Sequence, residues 1–306
     1  MSVTLLGPQR FRMSARAAVR ALEVEGPIAV INAGWQEREV DDAELDEVLD
    51  GRTTNLQLFR RLEHVLEVDP EYAEVARVHH ELLAEQQALY ILRLGHALEA
   101  AYAVARRAGP GHLHDAALDS AIAEIRTLDA WHLERLDQLE GEFEATNDPL
   151  HRLAVAEHRG EVTELVRSAG ALILTGGHVD VLLRCLQMFV EAPPPSMPVV
   201  AWSAGAMALA ERVVLFADEA VQGSGHAEVY RRGMGLVRGV VPLPHARRRL
   251  HLDDPVRVAA FARRFADACC LILDDGVRVP LPEQGGCPPG VPVLSATGHV
   301  ATLEAA

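Results

Sequence analysis

Lysine is absent from the 306 residues, so all 29 basic side chains other than histidine are arginine. That excludes a Schiff-base lysine and the lysine of a phosphate-binding P-loop. No run of eighteen or more apolar residues occurs, which excludes a single-helix membrane span. Residues 1–12 lack a basic region followed by a small-residue cleavage site, so the expectation is no secretory signal and a cytoplasmic protein. There are four cysteines, Cys185, Cys269, Cys270 and Cys287, and none has CxxC spacing. They read as small buried hydrophobes rather than a disulfide framework. A His-Glu-x-x-His helix is missing too: one turn beyond His79 and His80 stand Leu83 and Ala84. These histidines, with His112, His114 and His132, read as surface groups on an acidic hairpin, and no metal is expected.

What is present is a segregated charge. The formal net charge is −15, which argues against a nucleic-acid backbone as partner. Residues 41–148 hold 24 acidic and 9 basic side chains, and the remainder holds 20 of each, so the whole excess lies in one central segment. That segment also changes period. Residues 56–66 are amphipathic, 70–107 and 114–144 read as long helices, and Gly109-Pro110-Gly111 breaks them apart. Two such helices form an antiparallel hairpin. Its expected roles are a lid over an active site, an oligomerisation arm or a surface for a protein partner.

On either side the pattern is that of an α/β protein. Continuous apolar runs at residues 3–6, 27–33, 169–174, 199–202 and 270–273 alternate with helical stretches at 14–24, 150–168, 179–189 and 255–266. Buried strands alternating with helices predict a mostly parallel sheet covered on both faces. The predicted organisation is an α/β domain made of residues 1–40 and 149–306, interrupted by an all-helical insertion at 41–148. A run at 291–294 is short and carries Pro292, which predicts an edge strand at best.

The chemistry concentrates where the apolar run Val199-Val200-Ala201-Trp202 meets Ser203-Ala204-Gly205-Ala206. A strand entering a tight turn at a serine and leaving as a helix is the setting of a nucleophile elbow. The turn exposes the hydroxyl and aims helix N–H groups at developing negative charge. Thr175-Gly176-Gly177-His178 ends a second strand, and its backbone N–H groups are candidates for the other half of an oxyanion hole. His245 follows an apolar run at 233–244 and is a candidate base. Asp218 and Glu219 lie between Ser203 and His245 in the chain and are available to orient an imidazole. His226, in a glycine-rich stretch, is the rival base. Asp274-Asp275-Gly276 reads as a hairpin turn.

The segments Leu174-Thr175-Gly176-Gly177-His178, Ala201-Trp202-Ser203-Ala204-Gly205-Ala206 and Gly233-Met234-Gly235…Pro244-His245 resemble the dipeptidase E and cyanophycinase family of serine peptidases. The resemblance covers roughly residues 1–40 and 150–275. It implies a class I glutamine amidotransferase-like fold with serine as nucleophile and no metal or organic cofactor. Carried over, Ser203 is the nucleophile and His245 the base. Asp218 becomes the acid in preference to Glu219, and the N–H groups of Gly177 and Ala204 become the oxyanion donors. The implied substrate is a small amide or short peptide, aspartyl dipeptides included. Three departures stand out: Ala201 where glycine is usual, His178 after the glycine pair, and Arg247-Arg248-Arg249 where an aromatic is customary. The arginines suit a substrate carboxylate, and His178 would reshape the pocket.

Overall fold

The structure, a computed structural model, describes residues 2–10, 13–107, 110–216 and 225–304. The chain begins with β1 (Val3–Leu6), α1 (Ala15–Arg20), β2 (Ile28–Ile31), a 3-10 stretch at Ala33–Arg38, α2 (Ala43–Val48) and β3 (Thr53–Asn55). Then come α3 (Leu58–Val68), α4 (Pro70–Arg106), α5 (Gly111–Asn147), a 3-10 turn at Pro149–His151 and α6 (Leu153–Ser168). β4 (Ala171–Leu174), α7 (Val179–Phe189), β5 (Val199–Trp202), α8 (Ala204–Leu209), β6 (Arg212–Leu215) and β7 (Glu228–Arg232) follow. The chain continues through β8 (Val240–Pro244), α9 (Ala246–Arg249), α10 (Pro255–Arg264) and β9 (Cys269–Leu273). It closes with β10 (Arg278–Leu281), β11 (Pro292–Leu294) and β12 (Val300–Thr302).

The central sheet has the order β10-β1-β5-β4-β2-β3, all parallel except β10. Successive residues of its strands point to opposite faces, and both faces are covered. Leu5, Ile31, Leu172 and Ala201 join one core with α7, α8 and the helical hairpin. Leu6, Val30, Ile173 and Trp202 join a second core with α1 and α2. This two-sided burial is why the strands read as unbroken apolar runs instead of alternating ones. A second sheet, β12-β11-β9-β8, places β8 parallel to β9.

The hairpin forms as its periodicity predicts, with α4 and α5 lying side by side. Asp69 caps α4 by accepting from the Tyr72 amide at 2.9 Å, and Pro70 occupies the first helical turn. Leu83, Tyr90, Leu94 and Leu98 are buried, and the last three belong to the same core as the sheet residues above, so the hairpin shares the sheet's hydrophobic core. A buried polar cluster pins it. Arg264 of α10 makes two bonds to Asp129 of α5, at 2.6 and 2.7 Å, and Tyr90 donates to the same carboxylate at 2.7 Å. Residues 41–57, assigned from sequence to the insertion, supply α2 and the edge strand β3, which pairs in parallel with β2. The helical excursion from the sheet therefore starts at α3.

Two expectations are corrected. Cys269 and Cys287 are joined in a disulfide, 18 residues apart, while Cys185 and Cys270 are free and buried. No motif spacing announces that bond, because β9 and the loop after β10 meet only through the tertiary fold. Pro292 is also not on an edge: β11 lies between β12 and β9. Its pairing to β9 is confined to Val293↔Leu271, so the missing proline N–H interrupts no ladder there. No described helix is long and apolar enough to cross a membrane.

Candidate active site

All the candidate groups that the structure describes near Ser203 stand at carboxyl ends of parallel strands, where open α/β sheets form crevices. β5 ends at Trp202, and Ser203 follows with φ 53° and ψ −125°. A non-glycine residue in that region carries about 1–3 kcal/mol of backbone strain, which the surrounding packing must hold. The packing is visible. A Cβ on Gly205 would fall 2.5 Å from the Thr175 carbonyl oxygen, to which the Gly205 amide donates at 2.8 Å. Only glycine lets α8 start this close to the end of β4.

The glycine pair comes from the neighbouring strand end. A Cβ on Gly176 would lie 2.9 Å from Ser203 Cβ and 3.1 Å from Ser203 Oγ, so the serine side chain sits directly over the Gly176 backbone. Gly177 has φ 111°, and a Cβ there would meet the Gly34 carbonyl oxygen at 2.2 Å. Gly34 also accepts from the His178 amide at 2.7 Å. Gly177 lines the same cavity as Ser203. Ala204 is buried as the first residue of α8, a position whose N–H has no partner within the helix.

His245 follows β8 in the left-handed region, with φ 58° and ψ 33°, and its amide donates to the Leu273 carbonyl at 3.2 Å. Together with Ser203, Gly176 and Gly177 it lines a cavity of about 730 Å³. Burial holds the imidazole below its ordinary pKa, and the charges of Arg249 and Arg248 push the same way. Asp275 and Asp274 oppose them. The ring is therefore neutral at neutral pH, the state a base must start from. It makes no hydrogen bond to any described residue.

The remaining sequence candidates divide. Arg248 lines the cavity, and so does Arg249. Arg247 points away, 80% exposed and paired with Asp274 at 3.3 Å. His178 is exposed and caps α7, its Nδ1 accepting from the Val181 amide at 3.4 Å, and it does not line the cavity. His226 lies against Gly95 of the hairpin, where an added Cβ would be 3.8 Å from its Nε2, and it too is absent from the cavity. Asp218 and Glu219 lie outside the described residues.

Asp274 and Asp275 are the groups that the sequence reading missed. The Asp274-Asp275-Gly276 segment is a turn, with the Val277 amide donating to the Asp274 carbonyl at 3.1 Å. It is not a hairpin turn, because β9 and β10 lie in different sheets. The available signal was that Asp274 ends an apolar strand just as His245 does. Trp35, Arg38 and Glu44, contributed by the 3-10 stretch and α2, also line the cavity and carry no sequence motif. No described residue of the hairpin lines it, so the lid expected of the insertion is not formed by α4 or α5. Among the described residues no group of three His, Cys, Asp or Glu is placed to hold a metal ion.

The fold and site define a class: an α/β protein with a mostly parallel sheet, whose strained strand-end serine shares a cavity with a strand-end histidine. No family model matches the chain, and no curated protein matches it.

Proposed function

We propose that this protein is a serine hydrolase acting on a small amide or short peptide. The observation that carries the reading is the backbone of Ser203, held at φ 53° at a strand–helix turn and lining one cavity with His245. In this mechanism Ser203 Oγ attacks the amide carbonyl as His245 accepts its proton. The imidazolium then protonates the leaving amine, and water releases the acyl group by the reverse sequence. The N–H groups of Gly177 and Ala204 stabilise the oxyanion, each contributing about 3–4 kcal/mol by analogy with measured donors. Asp274 and Asp275 favour the imidazolium through their charge, and Asp218 remains the acid that the family resemblance suggests. The cavity wall carries Arg10, Arg38, Arg248 and Arg249 against Asp41 and Glu44, which suits a substrate bearing a carboxylate, such as an aspartyl dipeptide. The reaction needs no cofactor. A cytoplasmic location, expected from the sequence, sits poorly with the Cys269–Cys287 disulfide, because such bonds persist mainly in oxidising compartments.

A second reading, a catalytically silent scaffold whose hairpin recruits a protein partner or a second copy, draws on two observations. The His245 ring lacks a hydrogen-bonded carboxylate among the described residues. On α4, Val78, Leu82, Leu89 and Leu92 are exposed at helical spacing. One experiment separates the readings. Wild type and Ser203→Ala are incubated with α- and β-aspartyl dipeptides, neutral dipeptides and a fluorophosphonate probe. Dipeptide cleavage and probe labelling in wild type alone support the hydrolase. Folded wild type that neither cleaves nor labels supports the scaffold.

A further inference from the structure

A second cavity, of about 450 Å³, lies between the helical hairpin and the body, bounded by α4, α5, α7 and the end of β7. Among the described residues it shares no lining residue with the Ser203 cavity. The sequence predicts His79 and His80 as surface groups on the hairpin, but both are part-buried and line this space.

Its charges are unevenly settled. Glu140 is matched by His79 at 3.0 Å and by Arg231 at 3.4 Å, and Asp137 is matched by Arg232 at 2.7 Å. Arg231 also reaches Asp180 at 3.7 Å. Arg184 of α7 is different. Its side chain lines the cavity, and among the described residues it meets no carboxylate and makes no hydrogen bond. Its charge acts on two other cavity groups, the Tyr72 hydroxyl and the His80 ring. Neither of those makes a side-chain hydrogen bond to a described residue. A permanent cation, a phenol donor and an imidazole therefore face one space with their hydrogen-bonding capacity unused. Leu83, Leu136, Phe143, Met188, Val190 and Met234 supply the apolar part of the wall, and Gln187 and an exposed Glu144, which has no ion pair among the described residues, complete its polar part.

A half-buried arginine beside two unused donors is matched by an anion that takes two or more hydrogen bonds. The apolar walls are matched by a hydrocarbon body, and the volume is that of a small-molecule site. We propose that this cavity is a binding site for a small organic anion, its carboxylate or phosphate head on Arg184, Tyr72 and His80 and its apolar body against Leu83, Phe143 and Met188. The proposal does not depend on hydrolysis at Ser203.

The test is isothermal titration calorimetry with octanoate, phenyl phosphate and neutral octanamide as probes. At least one of the two anions binds saturably, and which one does identifies the head group. Octanamide binds at least about tenfold more weakly, the value of one charge-assisted hydrogen bond. Arg184→Gln weakens the anion about ten- to a hundredfold. Met188→Trp, which fills the cavity without changing its charge, removes binding, and Ser203→Ala leaves binding unchanged. Arg184 has no ion pair to lose, so its variant keeps the wild-type melting temperature. Two results overturn the proposal. One is the absence of saturable binding of either anion up to millimolar concentration. The other is an affinity that survives both Arg184→Gln and Met188→Trp, which places the anion at the arginines of the Ser203 cavity.

Discussion

The backbone amide of His245 donates to the carbonyl of Leu273 at 3.2 Å, which ties the end of β8 to the end of β9. That bond brings the imidazole beside Asp274 and Asp275, residues nearly thirty positions later in the chain. Burial, Arg249 and Arg248 lower the His245 pKa, while Asp275 and Asp274 raise it. A base is active when neutral, so for the proposed base His245 the acid limb of kcat/KM is expected below 6.5, the ordinary imidazole value. Arg248→Gln removes a repelling cation and moves that limb to higher pH. Asp274→Asn removes an attracting anion and moves it to lower pH. Profiles of the two variants that shift in the same direction, or not at all, count against His245 as the base.

Gly176 controls the serine. An alanine Cβ there would lie 2.9 Å from Ser203 Cβ and 3.1 Å from Oγ, closer than van der Waals contact allows. Gly176→Ala is expected to displace Ser203, the proposed nucleophile, and lower kcat by at least about a hundredfold, the scale of losing one oxyanion donor. Labelling of Ser203 by the fluorophosphonate falls with it. Wild-type kcat in a folded Gly176→Ala protein would separate the glycine pair from the chemistry.

The Tyr90–Asp129–Arg264 cluster fastens the hairpin to α10. Arg264 is 3% exposed, and Asp129 is its carboxylate partner. Asp129→Asn leaves a buried cation without its counter-charge, a loss of about 3–5 kcal/mol. Urea unfolding measures this directly. A loss under about 1 kcal/mol, the scale of an exposed pair, would show that the cluster is hydrated in solution.

The Cys269–Cys287 bond closes a loop with a sequence separation of 18. Closing a loop of that size restricts the unfolded chain and stabilises the native state by about 3 kcal/mol. Cys287→Ser is expected to lower the melting temperature, and a reductant lowers that of the wild type without changing the variant. Mass spectrometry of the non-reduced protein, alkylated after unfolding, gives two reactive thiols rather than four.

The sequence by itself determined the sheet and the hairpin. The runs at β2, β4 and β5 are apolar at every position, and β1 at every position but Thr4, because both faces are covered, and that is visible without a structure. The helical period of Leu83, Tyr90, Leu94 and Leu98 is equally local, as is the strand–serine–helix signature at Ser203. Other elements were not legible. β3, with Thr53, Thr54 and Asn55, has no hydrophobic face and is a strand only because β2 offers it an edge. The disulfide, the place of β11 between two strands, and the convergence of His245 with Asp274 and Asp275 depend on residues distant in the chain. Arg184, Tyr72 and His80 form one wall of a cavity only after the hairpin has docked. Periodicity records what each segment buries, while only tertiary packing decides which segment it is buried against, and sites are made of those second choices.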